Sequence, residues 1–217
     1  MQQHFGLSFS LILMDSLKTA YSTAYYRLLL MVKGNAIGDV VSIDATSTSL
    51  NSNFILRNPQ NAWPSFCFWG VTNMLPVFQL LGCNYKNAKF ITKYFTDSKS
   101  FDLFTKVDFI YSNSTATIKS GVGIKSEGDL VVSGTKGYIY VPAPWWKTDY
   151  FEIRYENPLD NKKVFYQLEG EGIRFEILSF VKSIRDHKDY SYISDDVSKA
   201  IVRTVEDYYS GMNVITI

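Results

Sequence analysis

"GDLVVSGTKGYIYVPAPWWKTDYFEIRYE", residues 128–156, sets the fold class. Short runs rich in β-branched and aromatic side chains alternate apolar with polar positions, and Gly and Pro punctuate them, as half-buried strands require. Phe151, Ile153 and Tyr155 fall on one side of a strand, opposite Glu152 and Arg154. A sheet with one apolar and one mixed face is expected.

The flanking sequence follows the same rule. "NAKFITKYFTD", "FTKVDFIY", "ATIKSGVGI" and "KKVFYQLE" each read as a strand, with Val107, Phe109 and Tyr111 opposite Lys106 and Asp108. Short turns such as "SNST", "KSEGD" and "NPLDN" separate them, which predicts an antiparallel meander. "GVGIKSEG", residues 121–128, spaces two glycines like the start of a dinucleotide loop, but no helix follows to present its amino terminus to a pyrophosphate, so it reads as a hairpin turn.

Helical spacing appears at both ends. Leu17, Tyr21, Ala24, Tyr25, Leu28 and Val32 form one stripe, which predicts a helix over 15–33 stopped at Lys33 and Gly34, with a strand leaving Gly38. Residues 51–65, rich in Asn, Pro and Ser, read as a loop. "GVTNMLPVFQLLG", residues 70–82, predicts a buried helix opening on Gly70 and closing on Gly82. Ile173, Ile177, Phe180, Val181 and Ile184 mark a third helix; Val197, Ala200, Ile201, Val205 and Tyr208 mark a fourth, capped by Ser194. The helices should cover the apolar face of the sheet. Phe5, Leu7, Phe9, Leu11 and Leu13 alternate, so residues 1–13 read as an amino-terminal strand preceding an α+β domain over 14–217.

Composition narrows the function classes. The chain has 217 residues, 22 basic and 21 acidic, for a net charge of +1, so no basic footprint points to nucleic acid or an anionic membrane. The apolar run 5–14 is far shorter than the ~20 residues of a membrane span and has no basic residue before it; a cytoplasmic protein is expected. Cys67 and Cys83 are too few for a disulfide framework, and with only His4 and His187 as histidines a metal site lacks ligands. P-loop, serine-elbow and zinc-protease signatures are absent.

Taken in order, "YYRLLLMVKGNAIGDVVSIDA", "GTKGYIYVPAPWWKTDYFEIRYE", "EGEGIRFEILSFVKSIRD" and "ISDDVSKAIVRTVEDYY" resemble the carboxy-terminal domain of the Gfo/Idh/MocA oxidoreductases, enzymes of sugar and cyclitol oxidation. The resemblance implies a large, mainly antiparallel sheet with helices on one face, of the glyceraldehyde-3-phosphate dehydrogenase-like carboxy-terminal type, its open face used for dimer contacts. It also implies that complete members carry a preceding Rossmann domain that binds NAD or NADP and supplies a lysine from a Glu-Lys-Pro segment; neither has a counterpart here. Residues 1–13 then resemble the end of that cofactor domain.

In the family, the helix matching residues 70–82 carries a His two positions after its Gly and an Asp three beyond; Thr72 and Leu75 occupy those positions. Neither relays a proton near neutral pH. No catalytic and no cofactor-binding residue is therefore expected in this chain. The expectation is a stand-alone substrate-binding and oligomerisation domain, inactive by itself; the alternative is half of a split NAD(P)-dependent sugar dehydrogenase working with a separate Rossmann-domain protein.

Sugar or sugar-phosphate contacts are expected from Thr72, Asn73, Trp145, Trp146 and Lys147: hydroxyl and amide groups hydrogen-bond sugar hydroxyls, and indole faces beside a cation suit a sugar ring. For Trp145 and Trp146 the competing reading is packing under a turn. Trp63 and Trp69 are open to both. Glu152 with Arg154, Asp195 with Asp196, and His187 read as surface or helix-end charges. Tyr138, Tyr140, Glu152 and Arg154 make the mixed face aromatic enough to predict a homodimer through it.

Overall fold

A computed structural model describes residues 12–50, 63–95, 101–167 and 170–217. Residues 1–11 of the predicted amino-terminal strand, and all but the last three of the 51–65 loop, lie outside them. The elements in chain order are α1 (Thr23–Lys33), β1 (Val40–Ser49), α2 (Val71–Leu81), β2 (Asn87–Tyr94), β3 (Asp102–Ile110), β4 (Thr115–Val122), β5 (Leu130–Gly134), β6 (Tyr138–Val141), β7 (Tyr150–Arg154), β8 (Lys162–Phe165), α3 (Ile173–Asp186), α4 (Asp195–Tyr209) and β9 (Val214–Thr216). The strands form one mostly antiparallel sheet in the order β8-β7-β6-β5-β1-β4-β3-β2-β9. The α+β class and the large sheet backed by helices are as expected.

The meander is split. β4 and β5 do not pair; β1 lies between them, parallel to β4 (Ser42 opposite Thr115) and antiparallel to β5 (Ile43 opposite Val132). The predicted hairpin at 121–128 is therefore a connection that steps over the end of β1. It is moored there: Gly123 N–H donates to Ser49 O at 2.8 Å, Ser126 N–H to Thr48 Oγ1 at 3.0 Å and Thr46 N–H to Asp129 O at 3.0 Å. Local turn chemistry cannot distinguish a step over one strand from a hairpin, because both reverse the chain. β9 adds a further strand, parallel to β2.

The sheet's inner face is apolar at alternate positions, with Ile43, Val107, Phe109, Ile118, Val132, Ile139, Phe151 and Ile153 all buried. α1 buries Ala24, Tyr25, Leu28 and Val32 as its stripe predicts, although its first turn is a separate 3₁₀ turn at Lys18–Tyr21, broken at Ser22 where the backbone is extended. α4 buries Val197, Ala200, Ile201 and Tyr208, and the Ser194 side chain accepts from Val197 N–H as its cap.

Two helical expectations are corrected. The helix of residues 70–82 begins earlier, with a π-helical turn at Phe66–Gly70 that runs into α2, so Gly70 sits inside the helix; the Phe66 ring fills the space a Cβ there would need, at 2.5 Å. Its end at Gly82 stands: φ is 84°, a left-handed value that suits Gly and stops the helix. α3 does not cover the sheet. It turns Glu176, Ser179 and Ser183 inward and leaves Ile173, Ile177, Phe180, Val181 and Ile184 exposed. Serine hydrogen bonds fix that orientation: Ser179 Oγ donates to Tyr190 O, and Ser183 Oγ accepts from Tyr190 N–H at 3.0 Å.

Candidate functional site

α2 crosses the sheet above β1 and β4, where Ala45, Ser47, Ala116 and Ser120 are small enough to admit it. Asn73 pins the crossing. It is 0% exposed; its Oδ1 accepts from Ser47 Oγ at 2.6 Å, and its Nδ2 donates to Lys119 O at 2.9 Å and Ser120 Oγ at 3.2 Å. Three of its hydrogen-bonding positions are thus taken by the sheet. Leu75, at the family's Asp position, is fully buried.

The "PWWK" segment forms a 3₁₀ turn, Trp145–Lys147, after a cis Ala143–Pro144 peptide. Trp145 N–H donates to Gly128 O at 3.0 Å, which ties the turn to the connection over β1. The Trp145 ring is 1% exposed and tilts against Tyr25, 6.0 Å between centroids, so it belongs to the core; its Nε1 finds no acceptor. Trp146 is buried in the core as well, at 9% exposed, and meets Trp69 of the π-helical turn at 4.7 Å, so the packing reading holds for both indoles. Thr72 follows Trp69 by three residues, so both share one side of that helix, and it is half-buried.

Lys147 completes the arrangement. Its Nζ lies 3.0 Å from Glu171 Oε1, while Lys18 Nζ pairs with Glu171 Oε2. The bonds from Lys18 and then Lys147 hold the Glu171 carboxyl below the usual range, so it stays ionised at neutral pH. Glu171 is presented by an unusual backbone: Gly170, Glu171 and Gly172 have φ of 65°, 57° and 95°. A left-handed non-glycine residue costs energy, and here two ion pairs and a hydrogen-bonded neighbourhood hold it.

The structure therefore brings Lys147 near the Trp69–Thr72 side of α2, and sends Asn73, Trp145 and Trp146 into the interior. Sequence reasoning missed Glu171 and Lys18. The "GEG" triplet was the available signal, since two glycines around an acidic residue mark a backbone that only a special conformation needs. Trp63 is exposed; His187 ends α3 with φ of 48°.

The chemistry on offer is recognition. The half-buried Trp69 indole, a lysine, a hydroxyl and an ionised carboxylate are suited to a polyhydroxylated ligand. Among the described residues no three His, Cys, Asp or Glu side chains cluster as a metal centre would need. Cys67 and Cys83 are free thiols, raised above the usual pKa chiefly by burial.

The arrangement of sheet and helices recurs in known structures. KijD10, a 3-ketoreductase from Actinomadura kijaniata solved with NADP and TDP-benzene, superposes with a TM-score of 0.76 at 12% identity over 95% of this chain. The fold is one that oxidoreductases use. An oxidoreductase from Agrobacterium radiobacter, solved with NAD+, L-tartaric acid and magnesium, matches with a TM-score of 0.69 at 14% identity over 92% of the chain, and one from Bacillus cereus with 0.69 at 13% over 92%. This chain spans 64%, 63% and 65% of the three respectively. No family model and no curated protein sequence matches it. Among the described residues no helix is long and apolar enough to cross a membrane.

Proposed function

We propose that this chain is the substrate-side and assembly domain of a Gfo/Idh/MocA-type sugar oxidoreductase and that it transfers no hydride by itself. The observation that carries this reading is the superposition over 95% of this chain on KijD10, a 3-ketoreductase solved with NADP and TDP-benzene. Thr72 and Leu75 add to it, because neither handles the proton that hydride transfer to or from a hydroxyl carbon requires. The ligand is a sugar or sugar phosphate held beside the half-buried Trp69, with Lys147 and Thr72 as polar partners.

The open sheet face supplies the assembly surface. Glu152, paired with Arg154 at 2.7 Å, lies across from Tyr140 and Lys163, and Arg154 stacks over Tyr140 at 4.6 Å. Aromatic rings and arginine are the side chains enriched at protein interfaces. A homodimer through this face accounts for them.

A thermal-shift screen with sugars, sugar phosphates, nucleotide sugars and nicotinamides tests the reading, because a ligand that binds only the native state raises the melting temperature. Stabilisation by a sugar that is lost in Lys147→Ala, with no NAD(P) reduction by the pure chain, is the expected result. Turnover by the chain alone, or stabilisation by NADP without sugar, overturns it.

A further inference from the structure

A cavity of about 330 Å³ opens where β2, β3 and β9 meet the end of α4. In the strand order it lies on the opposite side of β1 from the strands that carry the Trp145–Lys147 turn. Asp102, Tyr94, Tyr208, Tyr209 and Thr216 are in its walls, and among the described residues that line it there is no Lys, Arg or His. Its volume is that of a site for a small molecule.

Asp102 is the group the fold leaves unsatisfied there. It is 1% exposed; Phe66 N–H and Thr105 Oγ1 both donate to Oδ2, and Oδ1 has no partner. Burial raises its pKa only to about 6, so at neutral pH it is mostly ionised. A buried carboxylate with an unpaired oxygen and no cation beside it is costly, and a donor that brings positive charge removes the cost.

The walls suit such a donor. Tyrosine faces attract cations, and the rings of Tyr208 and Tyr209 stand 5.2 Å apart at 72°. Their hydroxyls are engaged elsewhere, Tyr209 with Cys67 Sγ at 3.2 Å and Tyr208 with Thr105 Oγ1 at 3.5 Å, which leaves the rings to offer. Tyr209 is 55% exposed, so this wall reaches solvent. An anion would meet the like charge of Asp102. A quaternary ammonium has no N–H to give Oδ1.

We propose that this cavity binds a primary ammonium group on a short alkyl chain, with the ammonium donating to Asp102 Oδ1 against the rings of Tyr208 and Tyr209. The site is separate from the one read as a sugar site and does not depend on it.

Calorimetric titration of the full chain with butylammonium chloride, near neutral pH and at fixed ionic strength, tests this. Tetramethylammonium, which has the charge without an N–H, and 1-butanol, which has a donor without the charge, are titrated beside it. Butylammonium is expected to bind about tenfold or more tightly than either, the worth of one charge-assisted hydrogen bond. Asp102→Asn keeps an acceptor for Phe66 N–H but puts an amide donor at the Oδ1 position, and should weaken butylammonium about tenfold or more. Tyr209→Leu, at a ring more than half exposed, should weaken it about threefold by removing one aromatic face. Nα-acetyllysine methylamide separates the two sources of such a group: tighter binding than butylammonium assigns the ammonium to a lysine side chain, weaker binding to a free amine, and both keep the site. Equal affinity for tetramethylammonium and butylammonium overturns the proposal, as does butylammonium affinity unchanged in Asp102→Asn or in Tyr209→Leu, or no heat with any amine.

Discussion

Replacing Asp102 by Asn gives the sharpest test of how the start of α2 is held. Asp102 is 1% exposed at the first position of β3; its Oδ2 accepts from Phe66 N–H at 3.0 Å and Thr105 Oγ1 at 2.7 Å, while Oδ1 has no partner. Burial outweighs those hydrogen bonds and raises its pKa from 3.8 to about 6. Because the folded-state value is the higher one, the native state holds this proton better than the unfolded chain does. The stabilisation is complete below about pH 3.8 and is lost as pH rises through about 6. At about 1.4 kcal/mol per pH unit, that gap is worth roughly 3 kcal/mol, of which roughly 2.5 kcal/mol falls between pH 4 and pH 8. Asn keeps a carbonyl oxygen for Phe66 N–H and removes the titration. Any fixed cost of its amide, on the order of 1 kcal/mol, is the same at every pH. Urea unfolding followed by tryptophan fluorescence, at half-unit steps from pH 4 to pH 8, should show the Asp102→Asn variant gaining about 2.5 kcal/mol on wild type across the range. Parallel stability curves for the two proteins would refute the reasoning.

Two substitutions probe the supports of the site. Asn73→Ala removes three hydrogen bonds between α2 and the sheet and strands Ser47, Ser120 and the Lys119 carbonyl, a loss of about 3 kcal/mol in urea unfolding; a loss below 1 kcal/mol would show that the crossing is held by packing alone. Gly172→Ala puts a Cβ 2.0 Å from Lys18 O at a φ of 95°, so the backbone must shift; it should cost more than about 3 kcal/mol, against about 1 kcal/mol for Gly170→Ala, where nothing lies within 4 Å of the new Cβ. Equal melting temperatures for those two variants would remove the case for a fixed turn beneath Glu171.

Strand positions and faces were legible in the sequence because alternation is local: Phe151 and Ile153 are buried, and Glu152 and Arg154 are not. The order of the strands was not legible. Whether β4 turns back on itself or steps across β1 is decided by Thr46 and Thr48, more than 70 residues away, engaging the connection. Helical periodicity misled at α3 for a related reason: it finds an apolar side but not what that side meets. At the candidate site, the aromatic and basic residues could be read from "PWWK". That both indoles are buried, Trp145 against Tyr25 and Trp146 against Trp69, depends on a single turn whose direction only the folded chain sets.

The central position of β1 governs how this protein assembles. Its neighbours arrive late in synthesis, Thr115 opposite Ser42 and Gly134 opposite Val40, so the strand made first waits for most of the sheet. The two runs of hairpins on either side, β2–β4 and β5–β8, can each form from nearby sequence, yet they share no edge until β1 is seated between them. Closing such long loops slows the search for the native state. Substitutions that weaken β1, such as Ile43→Gly or Ala45→Gly, would therefore leave two locally ordered halves that fail to join.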